Sequence, residues 1–279
     1  SKELKVEENV LVPTAEFEFT VSPKTPDEGE KYGDALVQAG IENLLMGGKL
    51  VYPLEEGKMA EVALTLGDLA DVTPGVYKYV VKETKGEVDG MVYDGTTYDL
   101  YLLVTLDENG NKVANYFVPG KDDDTKGNLA FTNIYNTSNL TVEKEIKGNT
   151  ADMSKTFEFT ITVTGVEGEK YATNMKDVVL ESGKPQNVTL GHGESIIIYG
   201  LSENDTYTVV ENNPGEYTAT GEVKEAKKMG EEDVKVTVTN TLDTTIPTGV
   251  IETVAPFALM IVAALGFAVV YFRKRNIEA

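Results

Sequence analysis

The chain has 279 residues, with 46 acidic against 25 basic side chains and a formal net charge of -21, a balance that argues against nucleic acid or any other polyanionic partner. It contains no cysteine, which removes disulfides, thiolate metal sites, thiol nucleophiles and Cys-derived thioesters together. The single histidine, His192, lies between Gly191 and Gly193, a turn setting, so neither Ser-His-Asp nor His-metal chemistry is expected, and no cofactor.

This length accommodates two domains, each able to close a core of its own. Ser1 is not an initiator methionine and no signal peptide is present, so the amino terminus is expected to be processed or trimmed. Side chains alternate across a strand, and on that parity Lys2 shares a face with Leu4 and Val6, while Glu3, Lys5 and Glu7 face outward. From residue 14 to 140 the segments are short, rich in Val, Tyr, Phe and Thr, and punctuated by Gly, Pro and Asn, the pattern of an all-β sandwich. Residues 34–46 (DALVQAGIENLLM) read as a short helix interrupted by Gly40. Pro74-Gly75 marks a turn, after which Tyr77, Tyr79, Val81 and Glu83 share one face, and Asn109-Gly110 marks a hairpin. The loop at 119–128 (PGKDDDTKGN) has three aspartates, Asp122, Asp123 and Asp124, too few oxygen ligands at fixed spacing for calcium. Leu129, Phe131 and Asn133 then form another row, followed by a polar linker, Asn136, Thr137, Ser138 and Asn139, and by the row Leu140, Val142, Lys144 and Ile146.

The second half repeats the first. AEFEFTV at 15–21 recurs as KTFEFTI at 155–161, YKYVVKE at 77–83 as DTYTVVE at 205–211, and LAFTN at 129–133 as VTVTN at 236–240. Two tandem sandwiches, 1–136 and 137–243, are therefore expected, followed by a separate tail, 244–279. The tail holds an uncharged apolar run at 254–272 and then Arg273, Lys274 and Arg275, the length and flank of a transmembrane helix with its basic end in the cytoplasm.

Each unit thus places a lysine on the core face of its first strand (Lys2, Lys144), a glutamate on a later strand (Glu83, Glu211) and an asparagine on its last (Asn133, Asn240). Burial drives an amine toward its neutral form and a carboxyl toward its protonated form. A neutral lysine facing an asparagine amide, with a carboxyl to polarise the carbonyl and pass protons, is equipped to condense into a Lys-Asn isopeptide bond. The same residues also fit a buried ion pair capped by asparagine.

Several motifs carry a resemblance across nearly the whole chain: KELKV at 2–6, VPTAEFEF at 12–19, GVYKYVVKE at 75–83, FTN at 131–133, LTVEKEIKG at 140–148, GESIII at 193–198, YTVVE at 207–211, VTN at 238–240 and IPTGV at 246–250. With them the chain resembles the major pilins of Gram-positive bacteria, of the group A streptococcal T-antigen type, with two collagen-adhesin B-like, immunoglobulin-type domains. The resemblance implies a self-formed isopeptide bond in each domain, Lys2 to Asn133 assisted by Glu83 and Lys144 to Asn240 assisted by Glu211. It also implies that Ile246, Pro247, Thr248 and Gly249 form a sorting motif, Ile246 replacing the usual valine, which a sortase cleaves between Thr248 and Gly249. The apolar run is then a transient anchor rather than a permanent one. Lys126 matches the acceptor that receives the next subunit, with Lys121 its rival. The function implied is a structural pilus backbone at the cell surface, not an enzyme acting on other molecules. Its partners are identical subunits, the pilus sortase, ancillary tip and base pilins, and peptidoglycan. A monomeric, wall-anchored adhesin binding a host ligand is the alternative.

Overall fold

The computed structural model describes residues 1–53, 59–119 and 126–244. Every regular element among the described residues is a strand. The segments alternate apolar and polar side chains at period two, and β-branched and aromatic residues fill the inward positions.

In the first half, one sheet has the order β10 (Met91–Val92), β14 (Phe131–Tyr135), β1 (Lys2–Lys5), β7 (Met59–Ala60). The sheet facing it runs β13 (Lys126–Gly127), β12 (Lys112–Pro119), β11 (Thr97–Leu106), β9 (Gly75–Thr84), β2 (Ala15–Pro23), β6 (Lys49–Tyr52), with β4 (Ala35–Ala39) beside β9 and β3 (Lys31–Tyr32) beside β4. A ribbon of β5 (Leu45–Met46) and β8 (Thr65–Leu66) completes this half. Phe17, Phe19, Tyr52, Tyr79, Leu100, Leu102 and Phe131 lead the core between the sheets.

The second half is plainer. One sheet is β20 (Ser195–Leu201), β15 (Ser138–Lys147), β24 (Val234–Thr241), β22 (Thr218–Thr220), and the other is β19 (Gln186–Gly191), β16 (Thr156–Thr164), β21 (Thr206–Glu211), β23 (Val223–Lys228), with a ribbon of β17 (Lys170–Ala172) and β18 (Val179–Glu181). In each half the first and last strands are parallel neighbours, β1 beside β14 and β15 beside β24.

Asn109-Gly110 lies in the connection of the β11–β12 hairpin, where Gly110 takes φ +80° and donates to Asp107. His192 occupies a turn, exposed. Residues 34–46 are not a helix: they form β4 and β5, because β4 completes the ladder along β9, opposite Val76, Tyr77 and Lys78. The polar linker is also shorter than expected. Ser138 and Asn139 already belong to β15, and Ser138 is buried, leaving Asn136 and Thr137 between the two units. The apolar run at 254–272 lies outside the described residues.

Candidate functional site

The parallel pairs set the geometry. Lys2 stands opposite Phe131 and Leu4 opposite Asn133, while Lys144 stands opposite Val238 and Ile146 opposite Asn240. In both halves the asparagine is therefore displaced from the lysine by two residues along the neighbouring strand, on the same inward face. The glutamate arrives from the facing sheet in matching register, Glu83 paired with Phe19 and Glu211 with Phe159. Both lysines and both asparagines are fully buried. Lys5, one turn of the pleat away, has a side chain 59 % exposed.

Each glutamate bridges its two partners. Lys2 Nζ donates to Glu83 Oε2 at 2.7 Å, and Asn133 Nδ2 donates to Oε1 at 2.5 Å. Lys144 Nζ donates to Glu211 Oε2 at 2.9 Å, and Asn240 Nδ2 donates to Oε1 at 2.6 Å. Aromatic rings form the floor: Lys2 Nζ lies 4.5 Å from the centroid of Phe17, and Lys144 Nζ 4.4 Å from that of Phe157, the equivalent phenylalanines of the repeated FEF segments. Burial in this apolar setting pushes both amines below the ordinary lysine value, and the hydrogen bonds and charges of Glu83 and Glu211 only partly offset it.

A third buried lysine has the opposite character. Lys78 lies on the other face of β9, with Nζ 2.8 Å from Glu30 Oε2 and 3.3 Å from Asp99 Oδ2. Burial lowers its pKa, but hydrogen bonds to two carboxylates outweigh that and raise it. Burial likewise raises Glu30, and the bonds from Lys78 and Tyr101 outweigh it, leaving Glu30 at about 2. That cluster is an ion pair that pins the segment bearing β3 and β4; the two triads hold lysines eased toward the free amine beside an amide. Sequence parity missed Lys78 because both faces of β9 are covered.

In chemical terms the carboxyl touches the nitrogen that would attack and the nitrogen that would leave. It is placed to take a proton from the first and return it to the second. Asp94, which sequence reasoning did not single out, completes the first site: its backbone N–H donates to Asn133 Oδ1 at 2.7 Å. The Asp-Gly pair at 94–95 signals a turn, but nothing in it points to Asn133.

Lys126 belongs to β13 rather than to an open loop, its backbone paired with Pro119. Lys121, the three aspartates, and Ile246, Pro247, Thr248 and Gly249 lie outside the described residues.

Residues 1–136 match a family described as the Spy0128-like isopeptide containing domain, and residues 138–242 one described as a domain of unknown function (DUF7601). The chain is 27 % identical to a pilin of Streptococcus pyogenes serotype M1 over 97 % of its own length and 88 % of that protein's. Its fold matches the major pilin of another S. pyogenes serotype with a TM-score of 0.66 and 26 % identity, covering 87 % of this chain and 96 % of that one. A shorter similarity, 32 % identity over 123 residues, covers 40 % of this chain and 18 % of an S. pyogenes pilus tip adhesin. Together with the two buried triads, these matches make the chain similar over nearly its whole length to the major pilins of streptococci.

Proposed function

We propose that this pilin is the backbone subunit of a surface pilus, a structural protein that cross-links itself and is then polymerised by a sortase. Its working parts are the sandwiches at 1–136 and 137–243 and the sorting signal at 244–279, whose apolar run serves as a transient membrane anchor. Lys2 condenses with Asn133 beside Glu83, and Lys144 with Asn240 beside Glu211, each step releasing ammonia. Thr248 is transferred from Gly249 to the sortase and then to the amine of Lys126 on the next subunit, with ancillary tip and base pilins and peptidoglycan completing the assembly. Joining requires the enzyme, which activates the carbonyl and positions the amine. Donor and acceptor lie on different parts of the subunit, so the contact is heterologous and generates an open filament.

The observation that carries this reading is the same Lys-Glu-Asn triad built twice, with one register offset and one hydrogen-bond pattern. Intact-protein mass spectrometry tests it. The folded protein is expected to weigh two ammonia masses less than its sequence, with Glu83→Ala or Glu211→Ala each restoring one. A mass equal to the sequence would leave two buried ion pairs instead. The alternative is a monomeric, wall-anchored adhesin. It predicts a single band rather than a ladder when wall extracts are immunoblotted.

A further inference from the structure

The two triads differ at one atom, the carbonyl oxygen of the asparagine. Asn133 Oδ1 accepts the backbone N–H of Asp94 at 2.7 Å, whereas Asn240 Oδ1 is buried with no hydrogen-bond partner among the described residues. The cause lies in the strand that flanks each asparagine. In the second unit β22 continues alongside β24, with Ala219 opposite Asn240 and Thr220 opposite Thr239. In the first unit β10 stops at Val92, opposite Ile134, and two residues on the N–H of Asp94 reaches the side chain of Asn133.

The Asp94 side chain anchors this segment on both sides. Asp94 Oδ2 accepts Thr132 N at 2.8 Å, on the strand that carries Asn133, and Asp94 Oδ1 accepts Thr96 N at 2.9 Å. Burial raises the Asp94 carboxyl, but the bonds from Thr96 and Thr132 outweigh it and keep it below its ordinary value. The other charges at the first site are Lys2 and Glu83. At the second they are Lys144, Glu211 and Glu222, whose carboxylate accepts Glu211 N at 3.0 Å rather than serving Asn240.

Resting on the isopeptide reading above, we propose that the Asp94 N–H is a preorganised oxyanion donor for the Lys2–Asn133 condensation, and that the Lys144–Asn240 condensation, lacking one, is the slow step in maturing the subunit. The lone pair of Lys2 Nζ attacks Asn133 Cγ, forming the C–N bond and moving the carbonyl π electrons onto Oδ1, where the Asp94 N–H meets the new negative charge. Glu83 carries the amine proton to Nδ2, the Cγ–Nδ2 bond breaks, and ammonia leaves as the carbonyl re-forms. No oxidant or second reactant is required. A fixed donor aimed at developing charge needs no reorganisation during the step, and removing one such donor costs about 10²–10³-fold in rate.

The test follows each bond in the full chain. Protein made by cell-free translation is chased after synthesis is stopped, quenched in acid denaturant at intervals, and digested, and each cross-linked peptide is quantified by mass. In the parent, Lys2–Asn133 is expected to close on the order of 10²-fold faster than Lys144–Asn240. Asp94→Pro, which deletes the N–H, is expected to slow the first bond by a similar factor and leave the second unchanged. Asp94→Asn, which keeps the N–H, should stay close to the parent. Equal rates in the parent, or an Asp94→Pro rate equal to the parent's, would overturn the proposal. If Asp94→Pro does not fold, the parent ratio alone decides. Failure of both peptides to cross-link would overturn the isopeptide reading itself, a distinct result.

Discussion

Lys2 and Lys78 are both buried, and what separates them is the balance between burial and the carboxylates each hydrogen-bonds. Hydrogen bonds to two acids outweigh burial and raise Lys78; at Lys2, over an aromatic floor, burial outweighs the bond to Glu83 and the charge of Asp94 and lowers it. Glu30→Gln is therefore expected to leave the two-ammonia deficit relative to the variant's own sequence unchanged while destabilising the protein by about 3 kcal/mol, the scale for breaking a buried pair, as read by denaturant unfolding. Asp205 supplies a pH dependence of opposite sign. Burial, reinforced by Glu169, raises its carboxyl to about 6. A raised carboxyl contributes stability that is present below its ordinary value and lost as pH rises through about 6, whereas depressed Glu30 contributes above its ordinary value and loses it as pH falls toward about 2. The second unit is accordingly expected to melt several degrees higher at pH 5 than at pH 7.5, and Asp205→Asn to flatten that difference in calorimetry. Lys2, Glu83 and Asn133 were legible because strand parity alone assigns a face. Asp94 and Lys78 were not, because their partners come from turns and insertions far away in sequence.

Among the elements, the pairing of first strand with last matters most. A bond between them closes nearly a whole unit into one loop, which by the chain-entropy argument used for disulfides stabilises by about 4 to 5 kcal/mol. Asn240→Ala is expected to lower the melting temperature of the second unit by on the order of 20 °C and to expose it to trypsin; an unchanged melt would show that the linkage does not stabilise. The strands themselves were readable from alternation. Residues 34–46 were misread since their apolar residues mimic a helical stripe, yet only Val37 of β4 is buried. The real constraint there is steric: a Cβ on Gly40 would stand 2.6 Å from Lys78 O and 2.8 Å from the Tyr79 ring. Such a close approach is invisible until β4 is laid on β9.

At the scale of the molecule, the two units are clasped rather than tethered. Tyr135 donates to Glu169 at 2.9 Å, Asn204 to Asp89 at 2.8 Å, and Val10 packs on Gly200. The repeat made two units legible, but not this junction, since its contacts join residues the repeat does not relate. Lys126→Ala is expected to abolish the high-mass ladder in wall extracts while both internal bonds and single-subunit attachment survive; if Lys121→Ala abolishes it instead, the acceptor is reassigned. In that filament a pull would enter each subunit at Lys126 and leave at Thr248. On that proposal the force would cross β14 and the two-residue junction into β15. Because β15 and β24 run parallel and side by side, pulling at the start of one and the end of the other loads their ladder in shear, all bonds together. Once Lys144 is joined to Asn240 the force steps directly across, and residues 145–239 never carry it. A hair built as proposed would behave under flow as a cord of fixed length, with no slack to pay out.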